Sequence, residues 1–284
     1  MIVDPKNISQ YLPSVNFKVD SVRFVPYLQE AELEITDKIL SCDIADMLAN
    51  SDNEDLSELK NIVCRAISIT AYLNAIPEMD LQLSEVGFVV ASNEAFKPAS
   101  KERVERLMES LRRRKSSALD SLLVFLVHNS KDDASPVKDW RGSRQFAYFS
   151  QTPVLTMAEF ERFSRLDVPV ESWDKFYSYI PIMKANLHST VAYYISDTYI
   201  LNLMERFRDA EPILDVERQV LVHIKTAIIA GAMDSRNIMI EEAITARKIM
   251  IDNIGQFPIF YKSDSFQLPE KSISGTGGVS NFLV

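Results

Sequence analysis

A short pattern that occurs twice, at an offset of 155 residues, constrains this fold more than any other feature of the sequence. Residues 24–28 (FVPYL) and 179–183 (YIPIM) share an aromatic, a β-branched residue, a proline and two apolar residues, and each leads into a helical stretch. Two later positions match at the same offset: Ile44 with Tyr199, and Leu48 with Leu203. The pattern predicts two domain-sized units built alike. The alternative is a chance likeness between two amphipathic helices that each carry a proline near the start.

The spacing of polar segments predicts the domain organisation. A chain of 284 residues is long enough for two ordinary domains. Residues 129–136 are polar and charged and end in a proline, which is typical of a boundary. We therefore predict one helical unit over residues 1–130, a second over 131–255, and an extended C-terminal arm over 256–284.

Apolar periodicity predicts a mainly α fold of two helical bundles with small extended segments. Apolar residues recur at helical spacing in most of the chain. The predicted helices cover residues 29–40, 56–76, 101–128 (with a break near 115–117), 157–166, 173–195, 199–208, 216–233 and 234–254. Residues 1–22 are predicted to be an irregular arm, and 81–96, 145–149 and 154–155 to be extended.

Composition excludes several classes of protein. The net charge of −9 disfavours a protein that recognises DNA sequence, because that function needs a basic surface. Cys42 and Cys64 lie in apolar helical contexts, which predicts buried thiols in a reducing compartment. The first residues lack the features of a signal peptide, and no apolar run reaches about 18 residues, so we expect no membrane association.

No catalytic motif occurs in the sequence. The phosphate-loop, dinucleotide, nucleophile-elbow and zinc-protease patterns are all missing. No histidine (His128, His188 or His223) has a second metal ligand at the usual spacing, and Cys64 lies on an apolar helix face. We expect no enzyme activity, no cofactor and no metal. His188 or His223 beside a carboxylate in a cleft would revive the enzyme hypothesis.

Two segments are candidates for contact with partners. The first is the basic run Arg112, Arg113, Arg114 and Lys115, which suits an acidic partner or nucleic acid phosphate. Its alternative role is a solvated helix face or stabilisation of a helix end. The second is the C-terminal arm, because aromatic residues contribute much of the energy of interfaces. Its candidate docking residues are Phe257, Phe260, Tyr261, Phe266, Phe282 and Leu283. The alternative is that the arm packs on its own domain.

Several segments together resemble a known family. They are residues 24–40, 71–77 (AYLNAIP), 87–88, 93, 98–100, 119–126 (LDSLLVFL), 157–160 (MAEF) and 176–185. In these segments the chain resembles head-to-tail connector (adaptor) proteins of tailed bacteriophages, especially a group from phages and prophages of gut Bacteroidetes. These are apolar patterns and not catalytic motifs, and they cover half to two-thirds of the chain.

The resemblance implies a structural virion protein at the head–tail interface, made in the host cytoplasm. It implies that about twelve copies form a closed ring beneath the portal, which extends the DNA channel and attaches tail components. The implied partners are other copies of the chain, the portal protein and tail or further ring proteins, with DNA passing non-specifically and no membrane. The doubled unit departs from the simplest connectors, which are single small bundles. The alternative is a cytosolic helical interaction module or regulator without a virion role.

Overall fold

The chain folds into two compact helical units. A computed structural model describes residues 1–12, 21–50, 54–79, 81–84, 87–90, 100–164, 172–209 and 211–267. Unit 1 comprises Met1–Ala147 and unit 2 comprises Tyr148–Val284. Within the described residues both units are built mainly from α-helices, with one β-hairpin in unit 1, which confirms the predicted fold class.

Unit 1 is a bundle in which α4 packs between α2 and α5. Its elements are α1 (Ile8–Tyr11), α2 (Ser21–Ile35), a π-helical turn (Thr36–Leu40), α3 (Cys42–Asn50), α4 (Ser57–Met79), β1 (Leu81–Ser84), β2 (Gly87–Val90) and α5 (Lys101–Asn129). The core comes from apolar residues at helical spacing, such as Leu28 and Ala31 on α2, Val63 and Ile67 on α4, and Leu122 on α5.

The β-hairpin is the extended region that the sequence predicts after residue 81. β1 and β2 pair antiparallel, from Leu81 opposite Val90 to Ser84 opposite Gly87. The remainder of the predicted extended segment, residues 91–96, lies outside the described residues. Helix α5 then runs without the break predicted near 115–117, because Lys115 and Ala118 face the bundle and are buried there.

The first twelve residues belong to unit 1 and are not an irregular arm. Ile2, Val3, Ile8 and Leu12 are buried, and the Ile2 N–H donates a hydrogen bond to Glu32 Oε2 at 2.8 Å. The apolar residues of this segment are separated by polar ones without a clear period, so the sequence alone gives no sign of the packing.

Residues 131–147 also pack on unit 1, so the boundary lies later than the predicted position at residue 130. The Trp140 indole Nε1 donates to the Ile39 carbonyl at 2.7 Å, and Gln145 Nε2 donates to the Asp37 carbonyl at 2.9 Å. The strand predicted at 145–149 is wrong, because this segment forms α6 (Arg144–Phe149). Ser143 Oγ accepts a hydrogen bond from the Phe146 N–H at 3.1 Å and so caps the helix, which overrides the strand propensity of the aromatic residues.

Unit 2 contains the helices that the sequence predicts between residues 157 and 254. They are α7 (Met157–Phe163), α8 (Trp173–Asn186), a π-helical turn (Leu187–Val191), α9 (Ala192–Ile195), α10 (Asp197–Asp209), α11 (Asp215–Ala232) and α12 (Arg236–Asp252). The predicted cap before α7 is confirmed: Thr156 Oγ1 accepts from the Glu159 N–H at 3.1 Å, and Glu159 Oε2 accepts from the Leu155 N–H at 2.8 Å.

After α12 the chain forms short helical turns rather than an extended arm. These are Ile254–Gln256, α13 (Pro258–Tyr261) and Asp264–Gln267. They pack against α9, α10 and α12 within unit 2. The predicted extended arm is therefore wrong as far as Gln267, and its remainder, residues 268–284, lies outside the described residues.

Candidate functional site

Four arginine side chains line an open cleft of about 360 Å³ on unit 1. Arg65 comes from α4, whereas Arg106, Arg113 and Arg114 come from α5. Residues three, four, seven and eight apart lie on the same face of a helix, which is why the three α5 arginines reach the same cleft. The lining is completed by Glu109, Ser110 and Ser117. We call this surface the arginine cleft.

The arginine cleft keeps a positive charge because, among the residues that the structure describes, two of its four arginines pair with a carboxylate. Arg106 pairs with Glu102, and Arg113 Nη2 lies 2.5 Å from Glu109 Oε1; both pairs join exposed side chains one helical turn apart. Such pairs contribute little to stability and exchange readily. Guanidinium groups bind carboxylates and phosphates through two parallel hydrogen bonds, so the arginine cleft suits an anionic partner.

The structure divides the predicted basic run into three roles. Arg113 and Arg114 line the arginine cleft, whereas Arg112 is exposed outside it. Lys115 is buried, and its Nζ lies 3.0 Å from Glu34 Oε1, so the prediction of a partner contact is wrong for this residue. A lysine buried against a carboxylate of its own unit cannot also face a partner.

Sequence reasoning missed two members of the arginine cleft. Arg106 lies seven residues before Arg113, so helical periodicity along α5 is a signal that identifies it. Arg65 lies on a different helix, and only the packing of α4 on α5 brings it to the others. Spacing in the sequence carries no signal for that contact.

Two of the predicted docking residues are core residues of unit 2. Phe257 and Phe260 are buried, and the Phe257 ring lies 5.7 Å from the Tyr199 ring. A docking role is therefore wrong for both, because they are already packed on their own domain. Tyr261 is exposed and Phe266 is half-buried, so both reach solvent. Phe282 and Leu283 lie outside the described residues.

Arg247 holds the segment after α12 in place. Its Nη1 donates to the Tyr194 carbonyl at 2.9 Å and to the Ser265 carbonyl, and its Nη2 donates to the Phe266 carbonyl at 3.1 Å. The guanidinium also lies 5.4 Å from the centre of the Phe260 ring. Burial lowers the pKa of Arg247, since its partners within the described residues are carbonyl groups and rings. This buried side chain therefore fastens the segment 257–267 to unit 2, together with the packing of Phe257 and Phe260.

A second buried cluster joins α10 to the start of α11. Arg206 makes a two-fold contact with the Glu217 carboxylate, which also accepts from the Leu214 N–H at 3.1 Å. Burial opposes ionisation of Glu217, but these hydrogen bonds outweigh it and hold the pKa of the carboxyl below its usual value. Burial and the nearby Glu217 charge raise the pKa of Tyr199. These groups stabilise a helix junction.

Two smaller cavities occupy corresponding places in the two units. Ile44 and Met47 line a cavity of about 250 Å³ in unit 1. Tyr199 and Asn202, at the same offset of 155 residues, line a cavity of about 200 Å³ in unit 2. The opposite wall is a short helical turn in each case, around Trp140 in unit 1 and around Phe257 in unit 2.

The two histidines named for the enzyme hypothesis each lie beside a carboxylate. His188 Nδ1 is 2.9 Å from Asp197 Oδ1, and His223 Nδ1 is 2.6 Å from Glu242 Oε2. Neither histidine lines the arginine cleft or the two smaller cavities. The enzyme hypothesis required a histidine beside a carboxylate and inside a cleft. Each histidine lies beside a carboxylate, but neither pair lies in these three cavities.

The remaining candidates for chemistry are two cysteines and metal ligands. Cys64 is buried, as predicted, and burial raises the pKa of its thiol. Cys42 is exposed at the start of α3, so the prediction that both thiols are buried is wrong for this one. No group of three or more metal-ligating side chains occurs among the residues that the structure describes. In the same residues, no helix has the length and apolar character needed to cross a membrane.

Comparison with known proteins gives one match. The model of a family of unknown function, DUF6712, matches residues 25–150. No curated protein and no solved structure matches the chain. The matched range contains α3, α4 and α5, and therefore the whole arginine cleft.

Proposed function

We propose that this chain is a structural virion protein, a head–tail connector that forms an oligomeric ring beneath the portal of a tailed bacteriophage. In this role it extends the DNA channel and attaches tail components. The proposal rests on the resemblance of the helical segments to connector proteins. The structural observation that supports it best is the arginine cleft, an open charged surface on a helical bundle, which suits contact between proteins better than enclosure of a substrate.

The buried charges of unit 2 join its own helices and do not converge on a site for a substrate. Arg206 with Glu217, and Lys225 with Glu159 at 2.8 Å, are ion pairs that join helices of the same unit. A catalytic site needs ionisable groups that converge on a space where a substrate fits. The cavity beside Tyr199, of about 200 Å³, contains Arg206 and Glu217 already bound to each other.

The net charge of −9 suits the wall of a channel. A negatively charged surface repels the phosphate backbone, so DNA passes without binding. Because the chain is acidic, each further copy of it also offers carboxylates that the arginine cleft could bind.

Because Phe257 and Phe260 are buried, the candidates for docking at the C-terminus are now Tyr261, Phe266, Phe282 and Leu283. Tyr261 is exposed beside Phe266, at a ring distance of 5.1 Å, at the point where the described chain ends. Residues 268–284 follow and end in Phe282, Leu283 and Val284. We expect these apolar terminal residues to contact the portal or a neighbouring subunit.

Mass spectrometry of purified particles tests the proposal. The protein should be present at a constant ratio to the portal protein, whereas a protein found only free in the lysate would favour the cytosolic interaction module.

Deletion of residues 272–284 should leave the helical content unchanged and abolish incorporation into particles. The double substitution Phe282→Ala with Leu283→Ala should have the same effect, and Ser272→Ala with Ser274→Ala is the matched control. Normal incorporation of the truncated chain would contradict the docking role.

A further inference from the structure

Unit 1 carries a second charged surface, of the opposite sign to the arginine cleft. Residues 39–59 contain six carboxylate residues and no lysine or arginine. Five of these carboxylates are exposed, and Asp55 is one of them. The other four lie on α3, on the turn Glu54–Leu56 and on the first turn of α4: Asp43, Asp46, Glu54 and Glu58. We call these four residues the acidic edge.

The acidic edge and the arginine cleft do not neutralise each other within one chain. In the described part of the chain, the cleft arginines pair with Glu102 and Glu109 of their own helix or with the Tyr11 carbonyl. No ion pair joins Arg65 to a carboxylate among the same residues. Both surfaces thus stay available to a partner of opposite charge.

We propose that the arginine cleft of one copy of this chain binds the acidic edge of a second copy. Charge complementarity identifies this occupant, because one chain supplies both the guanidinium groups and an exposed row of carboxylates, and no ion pair joins the two surfaces among the described residues. A guanidinium group and a carboxylate can form two parallel hydrogen bonds. The exposed pairs that Arg106 and Arg113 make within α5 contribute little, so either arginine can exchange its partner for a carboxylate of a second copy.

Nucleic acid fits the arginine cleft less well than a carboxylate surface. A chain with a net charge of −9 repels a DNA duplex more strongly than it repels a second copy, because the duplex carries one negative charge per about 1.7 Å of its axis. A nucleic acid surface is typically a basic stripe or a basic domain, whereas this positive region is bordered by acidic residues on α5.

The spacing along α4 defines two forms of the contact. Glu58 and Arg65 are both exposed and lie seven residues apart, hence about 10 Å along one face of the helix. If two copies satisfy each other's surfaces reciprocally, the product is a closed dimer. If each copy contacts a different neighbour on each surface, the product is a ring or an open chain.

This inference rests on the proposed function in one respect: a connector explains why copies of the chain would form a ring. The contact itself can be tested on the isolated full chain by sedimentation velocity over a range of concentrations. We expect the wild type to self-associate in about 50 mM NaCl and to lose about tenfold or more in association constant in about 300 mM NaCl, since exposed ion pairs are screened by salt.

Charge-neutral variants of each surface give the sharper test. The cleft variant is Arg65→Gln with Arg113→Gln, and its matched control is Arg103→Gln with Arg112→Gln, which removes the same charge from exposed arginines outside the cleft. We expect the cleft variant to associate about tenfold more weakly than the wild type and the control to stay within about twofold.

The edge variant is Glu54→Gln with Glu58→Gln, with Glu161→Gln and Glu205→Gln in unit 2 as its control. We expect the edge variant to lose association as the cleft variant does. A mixture of the cleft and edge variants should regain association, because one chain keeps an intact acidic edge and the other an intact arginine cleft. Circular dichroism of each variant establishes that all are folded.

Three results would overturn the contact. They are a wild type that stays monomeric at about 100 μM in low salt, controls that weaken association as much as the variants do, and a mixture that fails to associate. Binding of duplex DNA that depends on Arg65 and Arg113 in a monomeric wild type would identify nucleic acid instead. A chain that self-associates but is missing from particles would contradict the proposed function alone. A ring whose neighbours meet elsewhere would contradict this contact alone.

Discussion

Ser41 and Ser196 lie 155 residues apart, and each adopts a positive φ, 82° and 103°, at the single residue that separates two helices. The carbonyls two residues earlier correspond as well. Ile39 O accepts from the Trp140 indole, and Tyr194 O accepts from the Arg247 guanidinium. The same helix end, held by a side chain from later in the chain, thus occurs in each unit. The internal repeat over the whole of both units stays a prediction.

Glycine at residue 41 should stabilise unit 1. The backbone of Ser41 (φ 82°, ψ 155°) lies in a region that is essentially restricted to glycine and costs other residues about 1–3 kcal/mol. Glycine loses more chain entropy on folding, about 0.5–1 kcal/mol, so we expect Ser41→Gly to raise the free energy of unfolding by about 1 kcal/mol. Urea denaturation measures this change. Ser117→Gly, inside α5, should instead lower it by about 0.5 kcal/mol, and an equal loss at both positions would contradict the account.

Removal of the Arg247 side chain should release the segment after α12. Arg247→Ala leaves three carbonyls without their donor, and we expect a loss of about 2–4 kcal/mol in the stability of unit 2. Hydrogen exchange should rise first in residues 254–267, since Arg247 binds two carbonyls of this segment. Arg236→Ala removes an exposed arginine from the same helix and should leave the exchange of this segment unchanged.

Lys115 and Arg112 should respond differently to the same substitution, although they belong to one basic run. Lys115 is buried against Glu34, so Lys115→Ala should destabilise unit 1 by about 2 kcal/mol through the loss of that pair and of its packing. Arg112→Ala should stay within about 0.5 kcal/mol because the residue is exposed. Thermal unfolding of the two variants measures the difference, and equal effects would show that the run is one surface.

The pH dependence of unit 2 should reflect Glu217. Its pKa is lowered below the ordinary value of 4.5 in the folded state, so below about pH 4.5 the unfolded state binds more protons. Stability supplied by this carboxylate is therefore present above pH 4.5 and is lost as the pH falls through the folded pKa. Glu217→Gln should flatten the dependence between about pH 5 and pH 3, measured by urea unfolding. The exposed Glu205→Gln is the control, and a profile unchanged by Glu217→Gln would contradict the assignment.

Much of the fold follows from the sequence because the helices are amphipathic. The stripes on α4, α5 and α11 give both the helices and their buried faces, and Thr156 with Glu159 marks the start of α7. Failures occur where tertiary contacts decide the outcome. The segment 145–149 becomes a helix because Ser143 caps it, and the first twelve residues are ordered by packing on the bundle.

The candidate site was predicted only in part, for the same reason. Arg113 and Arg114 are adjacent in sequence and are found together in the arginine cleft, whereas Arg65 joins them through the packing of two helices. Aromatic content near the C-terminus indicated docking residues, but Phe257 and Phe260 are instead core residues that Tyr199 and Arg247 hold within unit 2. Composition alone does not distinguish an aromatic residue that packs internally from one that binds a partner.

Cryo-electron microscopy of intact particles that encode this chain tests the connector proposal most directly. The account predicts helical density for both units, arranged as a ring of about twelve copies between the capsid portal and the tail. Absence of such density from intact particles, with the protein found free in the lysate, would contradict it.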